Sequence, residues 1–233
     1  MIIKRAAEQC GQADYGWLQA RYTFSFGHYF DPQLLGYASL RVLNQEVLTP
    51  GASFQPRTYP RVDILNIILQ GEAEYHDSHG HHIHAKTGDV LLLATQPSVS
   101  YSEHNTSASK PLTRMQLWLD ACPTRENTPL QRLTLNKTGN RLLASPEGED
   151  GSLQLRQQVW IHHLELQDNE RKNIKLNGNR AYLQSIHGSA TISSQQHGGD
   201  TLYCGDGAFI QQEDELTIQA ETPLRALLID LVA

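Results

Sequence analysis

The chain has 233 residues, a mass of 26.1 kDa, a formal net charge of −6 and a mean hydropathy of −0.45. That length fits one large domain or two small ones, and such a chain buries roughly 70% of its unfolded surface without disulfides or metals as staples. The acidic balance lacks the basic footprint of a nucleic-acid binder, and no apolar run approaches the ~18 residues of a membrane span. "MIIKRAAEQC" starts basic but has no apolar stretch and no small-residue cleavage site, so a soluble cytoplasmic protein is expected. The three cysteines, Cys10, Cys122 and Cys204, form no disulfide framework, and without a CxxC pair a thiolate zinc site is not expected.

In chain order, a polar N-terminal arm is followed by the β-type runs "YASLRVLN", "VDILNIIL", "GDVLLLAT" and "RMQLWLDA". After the polar stretch "CPTRENTPLQRLTLNKTGN" come "SLQLRQQVWIHHLEL", "RAYLQSIHG", "GDGAFIQQ", "ELTIQA" and "LRALLIDLV". Gly, Pro, Asn and Asp bound these runs, a pattern that predicts an all-β sandwich or barrel. A repeat organises them. "ILQGEAE" precedes "GDVLLL" as "SIHGSAT" precedes "GDGAFI"; Gly71 to Gly88 and Gly188 to Gly205 both span 17 positions, and the copies are offset by 117. Two similar antiparallel barrels in tandem are predicted. The division expected is residues 1–120 as a first barrel with its arm, 121–150 as a linker with one opening strand, and 151–233 as a second barrel.

"GWLQARYTFSFGHYFDPQLLGYASLRVLN", "ASPEGEDGSLQLRQQVWIHHLEL" and "YSEHN", in that order along one chain, resemble the pirin family of bicupins, and most closely those members poor in metal ligands. The resemblance implies two cupin (jelly-roll-like) barrels with the family site in the first. Many pirins hold iron or another divalent metal there, and some act as quercetin 2,3-dioxygenases.

A cupin metal site uses three imidazoles and a carboxylate. A His-x-His pair on one strand aims both rings to one side, because strand side chains alternate with period two. At the corresponding positions, "FQPRTYPRVDIL" and "YSEHN" carry Arg57, Tyr59, Tyr101 and Glu103. Only the carboxylate is left, and a guanidinium cannot shed its proton to become a ligand. The resemblance therefore implies a degenerate metal site, with no metal and no other cofactor expected. His104 alternates away from Glu103, and Asp63 shares the phase of Arg57 only if the strand runs unbroken past Pro60. The repeat offset maps the four positions to Ile174, Leu176, Ile218 and Ala220, so the second barrel is expected to be purely structural. Arg57 paired with Glu103 is one expectation for the first barrel. A small pocket in which Arg57, Tyr59, Tyr101 and Glu103 capture a halide or small carboxylate is the other.

Two further groups stand out. "HDSHGHHIHA", residues 76–85, reads as an exposed hairpin with His82 and His84 on one face and His81 on the other. It has no acidic or cysteine partner at zincin spacing, and adventitious nickel or zinc is the expected limit of its metal chemistry. Cys122 follows "RMQLWLDA" beside Pro123 and Arg125, a setting that favours thiolate and oxidation. Cys122 is thus the expected redox-sensitive residue, while Cys204 lies in a buried-looking strand and His162 and His163 read as structural. The leading functional reading is a monomeric, non-metal pirin-like protein that is redox-responsive or binds a small ligand, leaning away from an enzyme. The alternatives are a dioxygenase with an unusual Tyr/Glu-ligated metal and a regulatory module acting through a protein partner.

Overall fold

The computed structural model describes residues 1–135 and 138–232. It consists of β-strands and two short 3-10 turns, with no α-helix among the described residues and hence no helix long and apolar enough to cross a membrane.

The strands run β1 (Ile2–Arg5), β2 (Gly11–Asp14), β3 (Leu18–Tyr22), β4 (Leu40–Leu48), β5 (Ser53–Thr58) and β6 (Val62–Gln70). They continue with β7 (Glu72–Asp77), β8 (His82–Lys86), β9 (Asp89–Ala94), β10 (Ser100–His104), β11 (Leu112–Asp120) and β12 (Leu130–Thr134). The second half has β13 (Arg141–Ser145), β14 (Leu153–Gln154), β15 (Val159–Leu166), β16 (Arg171–Lys175) and β17 (Arg180–His187). It ends with β18 (Ala190–Ser193), β19 (Asp200–Leu202), β20 (Gly207–Gln211), β21 (Glu215–Ala220) and β22 (Leu224–Leu231).

The chain divides into two compact units, one of Gly11–Asn136 and one of Met1–Cys10 with Lys137–Ala233. The first contains a seven-stranded sheet, β12-β9-β6-β11-β4-β3-β2, and a four-stranded sheet, β5-β10-β7-β8. The second repeats this plan as β1-β20-β17-β22-β15-β13-β14 and β16-β21-β18-β19. Pairing is antiparallel except between β13 and β14. Each unit is a cupin-type barrel whose two sheets close over an apolar core, as the repeat predicts.

The boundaries differ from the expected division. Residues 1–10 do not belong with the first barrel: β1 pairs with β20 and completes the second barrel's large sheet, and Lys4 forms an ion pair with Asp206 at 3.0 Å. The stretch 121–150 holds two strands rather than one, β12 on the first barrel and β13 on the second; residues 136 and 137 of it lie outside the described residues.

The repeat has a steric basis. Gly71 and Gly188 have φ of +86° and +79°, and an added Cβ would sit 2.4 Å from the Pro111 carbonyl oxygen and 2.1 Å from that of Pro223. Only glycine satisfies both demands. Strand burial follows the sequence pattern. The largely apolar strand β6, which includes Asp63 and Asn66, is buried at every position but its last two, while β7 and β8 turn Ala73, Tyr75 and Ala85 inward and present Glu74, His76, His82 and His84 outward.

Candidate functional site: a polar cavity in the first barrel

The interior of the first barrel carries a polar network within its apolar core. Alternation along β11 points Arg114, Gln116 and Trp118 to one side and Met115, Leu117 and Leu119 to the other. Arg114 lies opposite Glu46 on β4 and reaches Glu103 on β10, in the facing small sheet. Its Nε donates to both Glu103 oxygens at 2.9 and 2.8 Å, and Nη2 donates to Oε1 at 2.8 Å. The same Nη2 is 3.0 Å from Glu46 Oε2. The Arg114 and Glu103 side chains are 2% and 7% exposed, so water screens this triad little.

Hydrogen bonds extend the network. Asn44 Nδ2 donates to Glu46 Oε1 at 3.1 Å. Trp118 Nε1 donates to Gln116 Oε1, and Gln116 Nε2 donates to Asn66 Oδ1. Burial alone would favour the neutral form of Arg114, but the two carboxylates outweigh it and hold the guanidinium charged. Burial and the neighbouring Glu46 charge push Tyr22 up to about 12. Burial and Glu103 also raise Tyr75 well above the ordinary phenol range. All three shifts suit a dry site built around an ionised triad.

A cavity of about 20 Å³ lies beside the triad, room for about one water. Arg57, Tyr59, Tyr101 and Glu103 all line it, with Phe54, Tyr75 and Arg114 among the other walls. The four sequence-predicted residues are thus brought together, but their pairing is not the expected one. Arg57 does not bind Glu103. It is exposed, donates from Nε to the Tyr59 hydroxyl at 2.7 Å, and lies against the Phe54 and Tyr59 rings at 5.2 and 4.9 Å. Glu103 takes Arg114 instead. The sequence held a signal for this, since polar Arg114 and Gln116 alternate through an otherwise apolar strand.

Neither rescue residue joins the cavity. The quoted stretch breaks after β5, so Asp63 falls within β6, one position out of phase with the inward-facing Val62 and Ile64. His104 turns away from Glu103 and bonds Ser102 Oγ at 3.2 Å.

The register also corrects the mapping between barrels. Pairing of β10 with β7 and of β21 with β18 makes Ile218, not Ala220, the counterpart of Glu103, and Leu216 that of Tyr101. Ile174, Leu176, Leu216 and Ile218 all belong to or pack on the second barrel's apolar core.

Cys122 is partly exposed directly after β11. Hydrogen bonds from the side chain and backbone of Thr124, helped by the Arg125 charge, hold its thiol below the ordinary range. Cys204 is not in a buried strand: it sits exposed in the turn before Gly205. His163 is buried and His162 half-buried, in opposite orientations on β15. The histidine-rich stretch forms the expected hairpin, but Glu74, two residues before His76 on the same face, is an acidic neighbour that spacing rules for helices pass over.

Two cupin barrels in one chain, with the polar site confined to the first, define a bicupin. Residues 3–119 match the Pirin family model and residues 142–231 match that of the quercetinase C-terminal cupin domain. The chain belongs to the pirin family. It is 68% identical to the pirin-like protein YhaK of Escherichia coli K12 over 99% of each chain, and the crystal structure of YhaK from E. coli aligns with a TM-score of 0.83, covering 97% of this chain and all of that one. It is also 31% identical to a quercetin 2,3-dioxygenase of E. coli K12, again over 99% of each. The nickel(II) complex of the bacterial pirin YhhW from E. coli, 29% identical, aligns with a TM-score of 0.92 over 100% of this chain and 99% of that one.

Proposed function

We propose that this chain is a pirin-like bicupin that has lost the family metal site and uses its first barrel, without a metal, to bind a small anion at the Arg57 end of the cavity. The observation that carries this reading is the commitment of Glu103 to Arg114. A divalent ion at the family position would need that carboxylate, and taking it would strip a buried guanidinium of its chief partner. Breaking such a pair costs about 3–5 kcal/mol. Arg57 adds a fixed positive charge, and Tyr59 and Tyr101 are ligands only as phenolates. These residues do not fit a divalent ion, so quercetin 2,3-dioxygenase activity, which belongs to the named relative, is expected to be absent here.

Charge decides where the anion goes. The triad of Arg114 with Glu46 and Glu103 has a net charge of −1 and repels an anion from the depth of the barrel. Arg57 forms no ion pair with a carboxylate among the described residues, and its planar donor fork stands at the rim. Bromide soaked into crystals of the protein is expected to give an anomalous peak at Arg57 that disappears in Arg57→Ala. Absence of any peak in the wild-type protein would reject the anion site.

The Cys122 environment favours a second activity, redox response. An accessible thiol with a depressed pKa is oxidised to sulfenic acid more readily than an ordinary one. After mild peroxide, a sulfenate-trapping reagent is expected to label Cys122 ahead of Cys10 and Cys204. Preferential labelling of exposed Cys204 would discard this idea.

A further inference from the structure

The outer face of the small sheet in the first barrel carries a second group of metal-type side chains, away from the cavity. Strand β7 presents Glu72, Glu74 and His76 on this face. Across the ladder, His76 lies opposite His82 on β8, and Glu74 lies opposite His84 on β8 and His104 on β10. Directly paired residues share one face of a sheet, so the register gathers these groups from three strands.

Three of them converge. The His76 and His82 rings are stacked, 4.2 Å apart and 10° from parallel. Glu74 Oε2 is 3.5 Å from His76 Nε2 and 3.3 Å from His82 Nε2. One donor atom from each residue lies within 4.8 Å of the other two. A tetrahedral zinc ion with ligand bonds of about 2.0–2.1 Å has ligand–ligand edges of about 3.3 Å. The two Glu74 separations already approach that edge, so an ion could enter with little strand movement.

We propose that Glu74, His76 and His82 form a surface site for a borderline divalent cation of the zinc class. Two imidazoles and a carboxylate are the donor set such an ion prefers, and three protein ligands leave a coordination position for water or an exogenous group. Each side chain is partly exposed, at 32%, 43% and 50% for Glu74, His76 and His82, so the ion has an open approach. The neighbouring histidines have other partners: His84 Nε2 contacts Glu72 Oε2 at 3.2 Å, His81 Nδ1 contacts Asp77 Oδ2 at 2.7 Å, and His104 bonds Ser102 while lying edge-on to His76. Among the described residues, only Glu74, His76 and His82 bring their donor atoms together. The ion would bridge β7 and β8 and brace their hairpin. The site is separate from the barrel cavity: none of Glu74, His76 and His82 lines it, and the cavity residues Tyr75, Tyr101 and Glu103 alternate with them to the inward face of β7 and β10.

The test is calorimetric titration of the untagged full-length chain with zinc chloride after chelator washing. One zinc per chain is expected. His76→Ala, His82→Ala and Glu74→Gln should each weaken binding at least tenfold, whereas His84→Ala should bind as the wild type does. Zinc should raise the melting temperature of the wild type and leave that of the His76→Ala/His82→Ala double variant unchanged. That readout, together with the milder His76→Gln and His82→Asn, keeps the test decisive if an alanine variant folds poorly. An anomalous peak at the zinc edge should fall between the three side chains. Failure of the wild type to bind zinc, or His76 and His82 variants that bind as tightly as the wild type, would overturn the proposal. Neither outcome touches the anion reading, which depends on Arg57.

Discussion

Arg114 pairs with Glu46 on β4 and Ile68 on β6; its counterpart Ala226 pairs with Leu164 on β15 and Ser185 on β17. Facing them from the small sheets are Glu103 in the first barrel and Ile218 in the second. The central strands of the large sheets (β9-β6-β11-β4 and β20-β17-β22-β15) and all four strands of the small sheets follow the same order, and the glycine corner recurs at Gly71 and Gly188, yet one interior is charged and the other apolar. Backbone geometry is thus conserved between the barrels while the interior is free to change. An ion triad and a set of aliphatic side chains both fill the space, provided every charge has a partner.

The largest effect should come from breaking the triad. Arg114→Met leaves Glu46 and Glu103 buried without their cation and is expected to cost about 3–5 kcal/mol in urea unfolding. The variant Glu46→Leu/Glu103→Ile/Arg114→Met imitates the second barrel and should recover most of that loss, because a buried ion triad replaced by apolar groups is often neutral or stabilising. If the triple variant is no more stable than Arg114→Met, the two interiors are not alternative solutions to one packing problem.

The glycine corners should behave alike. Gly71→Ala and Gly188→Ala each force a Cβ against a proline carbonyl at positive φ and are expected to cost at least about 2 kcal/mol apiece. A harmless substitution at either corner would show that the barrels do not share this demand.

A smaller, pH-dependent effect belongs to the second barrel. His163 Nε2 accepts a hydrogen bond from Arg225 Nε at 2.8 Å, and burial together with the Arg225 charge lowers its pKa to about 4. As pH falls, the unfolded chain takes up this proton first, near the ordinary value of about 6.5. The stabilising contribution is therefore complete above pH ~6.5 and is lost between pH ~6.5 and ~4, on the order of 2 kcal/mol. His163→Gln should flatten the stability profile in that window; an unchanged profile would remove His163 as its source.

Much of the fold is legible in the sequence. Eight of the nine β-type runs each fall on one strand and "SLQLRQQVWIHHLEL" falls on two, β14 and β15, because alternation and bounding glycines are local signals, and Gly71 and Gly188 mark corners that steric contact enforces. The placement of β1 is not legible, since "IIKR" pairs with a strand some two hundred residues away. The site is half legible. Family position picks out Arg57, Tyr59, Tyr101 and Glu103, and all four line one cavity. The partner of Glu103 is hidden because Arg114 lies across the barrel, in the other sheet. Exchange of Arg57 for Arg114 is a packing outcome that no spacing rule encodes. The 117-residue offset also drifts, by two residues at β10 and β21 and by five at β11 and β22, so rigid mapping misassigns the counterpart of Glu103.

The most direct measurement of the central claim is metal content by mass spectrometry on untagged His76→Ala/His82→Ala protein, incubated with iron, nickel and copper salts and then desalted. With His76 and His82 removed, the surface cluster with Glu74 is abolished, and loss of metal in Glu103→Gln identifies the barrel position. The account predicts metal well below one ion per chain, with no oxygen uptake on adding quercetin. Near-stoichiometric metal that disappears in Glu103→Gln would contradict it and return the first barrel to the metal-binding pirins.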